Sequence, residues 1–212
     1  MSELKRAIAK ALARIDGQVN DTLVERFEQY LLLLTKWNAV HNLTGIKDPL
    51  EMVSTHLVDS LTVLPYLPKG RIIDVGTGAG LPGIPLALMW PEAEFVCLDS
   101  SQKKIHFVEQ AALSLQLQRF SAVCSRVEDY RPEQGFNLVI SRAFSSLSEF
   151  VRLTQHLCQK DGKLLAMKGK NPVDELAVLP QGLSVEVQDL KTEGKTRTLV
   201  WISPRGTKEE HR

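Results

Sequence analysis

Apolar side chains recur at helical spacing over the first part of the chain, and from Ile72 onward they gather into short continuous runs. Residues 3 to 15 place Leu4, Ile8, Leu12 and Ile15 on one helical face and Arg6, Lys10 and Arg14 on another. A second helix carries Leu23, Phe27, Tyr30, Leu31, Leu34 and Trp37 as its buried stripe, and Thr22-Leu23-Val24-Glu25 has the capping-box pattern that would open it. A third helix is predicted from Asp48-Pro49-Leu50-Glu51, which offers a capping acid, proline at the first helical position and a glutamate three residues after the cap. On it His56, Asp59 and Ser60 fall three and four residues apart and share a face. The spacing predicts a hydrogen-bonded surface group there, with a ligand or substrate contact as the alternative, and no partner histidine stands at metal-ligand spacing.

The runs that follow predict strands at Ile72–Val75, Phe95–Leu98, Phe120–Cys124, Phe136–Ile140 and Lys163–Met167, with helices over Ile105–Leu115 and Leu147–Leu157. Strands alternating with helices imply an α/β fold: a mostly parallel sheet with helices on both faces. Leu183–Leu190 and Thr198–Ile202 are joined only by the polar stretch Lys191–Arg197, so they should form an antiparallel hairpin at the sheet edge. The expected organisation is an N-terminal helical extension over 1–67, a core over 68–203 and a frayed tail over 204–212.

The densest chemical signal is Asp74-Val75-Gly76-Thr77-Gly78-Ala79-Gly80-Leu81-Pro82-Gly83, where a buried strand ends in a glycine-rich turn that opens a helix. Such turns at the carboxyl ends of parallel strands are where α/β sheets bind ligands. Read from Gly78, the glycines fit a dinucleotide fingerprint whose helix N-terminus accepts a pyrophosphate. Read from Asp74, they spell D-x-G-x-G-x-G, the first motif of Rossmann-like methyltransferases that use S-adenosylmethionine. The second frame is preferred, because Pro82 removes a backbone donor from the helix start and that cofactor has no phosphate to hold.

A parallel sheet gathers its strand ends on one rim, which should bring together Asp74, Gly76, Asp99, Glu128, Arg142 and Lys168. Asp99 ends the second strand, where an acid can accept both hydroxyls of a ribose; it would serve a nicotinamide dinucleotide equally well. Val127 and Glu128 follow the third strand, at the place where an adenine would be flanked and bounded. Arg142 ends the fourth strand and is expected to meet cofactor, substrate or Asp74. Lys168 and Lys170, with Lys160 and Lys163 close in sequence, form a local excess of positive charge suited to RNA phosphates. Phe144 is a candidate to stack on a base, with a core role as the plainer reading.

Composition then narrows the classes. The 212 residues suit one domain able to bury roughly 70% of its unfolded surface. Twenty-six basic against 25 acidic residues give no global nucleic-acid signature, so any RNA site must be a local patch. The N-terminal basic stripe reads first as a solvated face. Cys97, Cys124 and Cys158 are odd in number and far apart, with no metal-binding spacing, and are expected to be small buried residues in a reducing, cytoplasmic setting. No stretch has the ~20 apolar residues that crossing a bilayer requires. The absent devices matter as well. The fourth strand ends in Ser141-Arg142-Ala143-Phe144 rather than the Asn/Asp-Pro-Pro-aromatic turn common to exocyclic-amine methylation, and no cysteine is placed as the nucleophile that pyrimidine-carbon methylation needs. A guanine N7 needs neither, since its in-plane lone pair is already nucleophilic.

Along essentially its whole length the sequence resembles the RsmG (GidB) family. The resemblance is carried by Lys36-Trp37-Asn38, Asn42-Leu43-Thr44, Asp48-Pro49 with Glu51-Met52, His56 with Asp59-Ser60, the glycine motif, Leu98-Asp99-Ser100, Ser125-Arg126-Val127-Glu128, Ser141-Arg142-Ala143 and Lys168-Gly169. It implies a class I methyltransferase fold and direct in-line transfer from S-adenosylmethionine to N7 of one guanine in the 530 loop of bacterial 16S ribosomal RNA, leaving S-adenosylhomocysteine. The implied partner is 16S rRNA or an assembling 30S subunit; a monomer is expected, with no metal and no membrane. Cofactor contacts carry over to Gly76, Leu81, Val127, Glu128 and Arg142, with Asp99 nearby and Gly78 and Gly80 within the same motif. No catalytic residue is implied; Arg142 and Lys168 are positioning candidates, and Lys168, Lys170 and Arg197 are RNA candidates. The family often has an acid before Arg-x-Leu-Val, whereas Lys195-Thr196 precede Arg197 here, which leaves the role of Arg197 open. A nicotinamide oxidoreductase and a non-catalytic ribosome-assembly factor are the alternatives.

Overall fold

The computed structural model describes residues 1–17, 20–142, 144, 146–169, 172–192 and 195–204. Three helical segments come first: α1 (Glu3–Asp16), α2 (Asp21–His41) and a continuous run made of α3 (Pro49–Met52), a wide π-helical stretch (Val53–Val58) and α4 (Asp59–Leu61). Asp48 caps α3 as its sequence predicts, its carboxylate accepting from the Leu50 amide at 2.9 Å. The start of α2 differs from expectation. Asn20 is the cap, accepting from the Thr22 and Leu23 amides, and Thr22 already lies inside the helix. Asparagine is as good a cap as threonine, and its carbonyl meets both free amides at once.

The core strands are β1 (Arg71–Val75), β2 (Glu94–Asp99), β3 (Phe120–Cys124), β4 (Phe136–Ser141), β5 (Cys158–Lys168), β6 (Leu183–Thr192) and β7 (Lys195–Pro204). Between them stand α5 (Gly83–Met89), α6 (Gln102–Ser114), α7 (Leu147–Thr154) and the short α8 (Val173–Ala177), which has no counterpart in the sequence reading. The sheet order is β3-β2-β1-β4-β5-β7-β6, parallel from β3 to β5 and antiparallel at β7 and β6. The edge hairpin is therefore present, but its strands run through most of the predicted Lys191–Arg197 connection; only residues 193 and 194 separate them, outside the described residues. The predicted tail likewise lies outside them from residue 205.

Strand alternation assigns the two faces. Ile72, Cys97, Leu138, Ile140, Leu165, Met167 and Leu199 point to a core shared with α1, α2 and α6, while Ile73, Val75, Val96, Val139, Leu164, Ala166 and Val200 point to a second core under α7. Asp74, Asp99, Arg142 and Arg197 have the parity of the first face. Lys168 has that of the second. The predicted stripes of α1 and α2 are buried in the first core at Leu4, Ile8, Leu12, Phe27, Tyr30, Leu31 and Leu34, with Ile15, Leu23 and Trp37 half-buried around it. Arg6, Lys10 and Arg14 lie on the exposed face of α1.

Candidate active site

The glycine turn is held by its own motif. Asp74 is buried at the end of β1, and its Oδ2 accepts from Thr77 Oγ1 at 2.6 Å and from the Gly83 amide at 2.9 Å. A Cβ at Gly83 would stand 2.4 Å from Cys97 Sγ, so only glycine lets the helix start so close to the sheet. Gly78 sits at φ +59° and donates its amide to Asp99 Oδ2 at 3.0 Å. Tyr30, fully buried on α2, donates its hydroxyl to the Ala79 carbonyl at 2.7 Å. Sequence reasoning placed Tyr30 in the core stripe and did not find this contact, because only its ring, not its polar tip, enters the apolar periodicity. Burial raises the Asp74 carboxyl to about 6, against the opposing effects of the Thr77 and Gly83 hydrogen bonds and the Arg142 charge.

A cleft of about 300 Å³ opens at the carboxyl ends of β1, β2 and β3. Gly76, Asp99, Val127, Glu128 and Phe144 line it, and Phe144 packs on Phe150 at 5.2 Å between ring centroids. Four of the eight expected cofactor residues thus face one cavity, whereas Gly78, Gly80, Leu81 and Arg142 are outside its lining. Asp99 already accepts from Ser101 N at 2.9 Å, Gly78 N at 3.0 Å and Lys104 Nζ at 3.3 Å. A carboxylate has about four acceptor sites, so one remains. Lys104 was missed; its position on the first turn of the helix that follows Asp99 was the available signal.

Arg142 meets Asp59 rather than Asp74: its Nη1 donates to Asp59 Oδ2 at 2.9 Å. Arg197 Nε donates to the other oxygen of the same carboxylate, Oδ1. Asp59 is 6% exposed, His56 8% and Ser60 0%, so the group expected at the surface is buried, because the helical run lies against the sheet rather than beside it. His56 Nε2 lies 2.7 Å from Thr44 Oγ1, and Asn38 Oδ1 accepts from the Thr44 amide at 2.9 Å. Burial, followed by the Arg142 charge, holds the His56 imidazole below its ordinary range.

Several placements correct the sequence reading. Lys168 Nζ is ion-paired with Glu175 at 2.9 Å and contacts the Phe144 carbonyl at 3.3 Å, on the α7–α8 face; α8 supplies the partner that the sequence did not suggest. Lys160 and Lys163 do not join it, since five to eight strand residues span roughly 16–26 Å. Lys170 and Ala143 lie outside the described residues. Cys124 is exposed and Cys158 half-buried at the start of β5; only Cys97 is buried, and burial raises its thiol well above the usual range. Among the described residues no cluster of three His, Cys, Asp or Glu side chains is placed to hold a metal, and no helix is long and apolar enough to cross a membrane.

The family model described as rRNA small subunit methyltransferase G matches residues 23–200. The chain belongs to the GidB family. A family member from Chromobacterium violaceum, named ribosomal RNA small subunit methyltransferase G, is 48% identical over 84% of this chain and 86% of its own length. One of the same name from Nitrosococcus oceani is 45% identical over 93% of this chain and 94% of its own. Among solved structures, a SAM-dependent methyltransferase from Aquifex aeolicus superimposes with a TM-score of 0.59 at 15% identity, covering 76% of this chain and 96% of that one. That likeness concerns the fold alone, and it agrees with the Rossmann-like class I methyltransferase architecture expected of a GidB-family chain.

Proposed function

We propose that the chain transfers a methyl group from S-adenosylmethionine to N7 of one guanine in the 530 loop of 16S rRNA. Membership of the GidB family over residues 23–200, with the glycine turn and Asp99 intact, is the observation that carries this reading. The residues present fit the cofactor. The cleft is at the small end of the range for small-molecule sites, Asp99 keeps one acceptor site for a ribose hydroxyl, and half-buried Val127 offers an apolar flank for an adenine. When bound, the cofactor supplies an electrophilic methyl group on a sulfonium.

The protein's part is placement. N7 carries no proton, so no side chain has to act as a base, and holding the two reactants in line can supply ~7–11 kcal/mol of barrier reduction. Within an A-form duplex the groove that displays N7 is too deep and narrow for side chains, so the guanine is taken from a loop or splayed out. Phe144 lines the cleft, which supports a flanking role for its ring. Arg142, Arg197 and Lys170 are the candidates for anionic parts of the reactants. Lys168 needs Glu175 to release it before it can touch a phosphate.

The test is a mass scan of 16S rRNA from cells lacking the modification, after incubation with the protein and labelled S-adenosylmethionine. One methyl at N7 of a 530-loop guanine, on free rRNA or on assembling subunits, is expected. Cofactor binding with no transfer to either substrate would overturn the reading.

A further inference from the structure

Asp59 is a buried carboxylate shared by two guanidinium groups that lie far away in sequence, 83 and 138 residues along the chain. A buried charge must be paired, and one arginine would have neutralised it. The second is surplus to charge balance, and with both present the cluster carries one net positive charge. The grip on each also differs. Asp59 takes Arg197 at Nε, leaving both terminal nitrogens, and takes Arg142 at Nη1, leaving Nε and Nη2. Terminal guanidinium nitrogens in a fixed plane are the geometry that receives an oxyanion bidentately. Gly169 lies against Arg197, where a Cβ would stand 3.3 Å from Nη1, so the group abuts the end of β5.

The carboxylate is delivered by the N-terminal helical segments. It lies immediately after the π-helical stretch, a distortion that recurs at functional sites. His56 and Ser60, its neighbours on that run, are buried with Nδ1 and Oγ lacking partners among the described residues. Such arrangements cost stability, and a well-packed apolar residue would hold α4 against the sheet at lower cost.

We propose that Asp59 is a positioning residue for methyl transfer: by dividing its two oxygens between Arg142 and Arg197, it locks the two guanidinium groups into one oxyanion-receiving unit beside the cofactor cleft. This rests on the methyltransferase reading of the site. The oxyanion is either the carboxylate of the cofactor's methionine part or a phosphate of the RNA strand. Loss of Asp59 frees one arginine from the other, since an asparagine can accept from one guanidinium but turns an amide donor toward the second.

The experiment compares Asp59→Asn, Arg197→Gln and the double variant with the wild-type protein. It records the Kd for S-adenosylhomocysteine by calorimetry, the Kd for a 530-loop RNA hairpin, kcat and KM for rRNA, and thermal midpoints. Each single change should weaken one of the two binding constants or lower kcat by about 10-fold, the effect of a lost charged hydrogen bond. A weakened cofactor Kd identifies the carboxylate, and a weakened RNA Kd identifies the phosphate. The double variant should stay within about twofold of the worse single one, because a unit can be broken only once.

Losses that multiply toward 100-fold would overturn the proposal. So would an Asp59→Asn protein with a lower midpoint but wild-type Kd, kcat and KM, which is the signature of a structural role. If Asp59→Asn does not fold, Arg197→Lys decides: it keeps the charge without the Nε grip, so it should behave as Arg197→Gln, and full activity would sink the geometric argument. Failure of the wild-type protein to methylate rRNA would remove the functional reading alone, and the two binding isotherms, which need no turnover, would still judge Asp59.

Discussion

The cleft and the arginine cluster stand on one sheet rim yet are built in opposite ways. The cleft is lined mostly by residues at strand ends, and Asp99 is held by residues that follow β1 and β2 in the chain, Gly78, Ser101 and Lys104 on the first turn of α6. In the cluster the central group, Asp59, comes from the N-terminal helices and reaches Arg142 and Arg197 across the domain. The cleft is local chemistry placed by topology. The cluster exists only because the helical extension covers the face toward which both arginines point. The difference teaches that the N-terminal helices do more than cover the sheet: they supply the carboxylate that both arginines share, and Tyr30 on Ala79 joins them to the glycine turn as well.

The largest effect is expected at Asp74, which backs the glycine turn between the two regions. Its carboxyl is raised to about 6 from an ordinary 3.8, chiefly by burial. The folded protein therefore binds a proton that the unfolded chain does not between those values. The carboxylate costs ~3 kcal/mol above pH 6, and this is regained as pH falls from about 6 toward 3.8. Asp74→Asn removes this dependence. The midpoint of the wild-type protein should rise relative to that of the variant as pH is lowered from 7.5 to 5, and parallel profiles would refute the assignment.

Next comes Asp99→Ala, which tests whether the cleft works without the cluster. Loss of a charged acceptor, ~1.5–3 kcal/mol, should raise the cofactor dissociation constant by roughly 10- to 150-fold. An unaltered constant by calorimetry would remove Asp99 from the site. The smallest effect is expected from Tyr30→Phe, which keeps the ring and strands the buried Ala79 carbonyl at a cost of ~1–3 kcal/mol. Urea denaturation should register that loss. If stability is unchanged while cofactor affinity falls, the extension steadies the turn only in its bound form.

Much of this was legible in the residues. The five parallel strands follow from apolar runs alternating with helical patterns and the antiparallel edge pair from its short polar connection, and Asp99, Val127 and Glu128 fall on the cleft because strand ends share a rim. Lys168 and Arg197 were grouped as RNA candidates, whereas the structure puts Lys168 in step with Leu164 and Ala166 and Arg197 in step with Leu199, on opposite faces. The alternation of strands and helices did not reveal which helices cover each face. Hence His56 and Asp59 read as surface groups, and Glu175, on a helix of five residues with no apolar period of its own, was not foreseen as the partner of Lys168.

The sequence by itself determined the local and the periodic: the helical stripes, the strand positions, the glycine turn and the family that its motifs resemble. These depend on neighbours one turn or one pleat away, which the chain order already supplies. Only the tertiary structure decided which charges meet. The pairing of Asp59 with Arg142 and Arg197, and of Lys168 with Glu175, depends on how layers dock, and a buried charge takes its partner from whatever element packs against it.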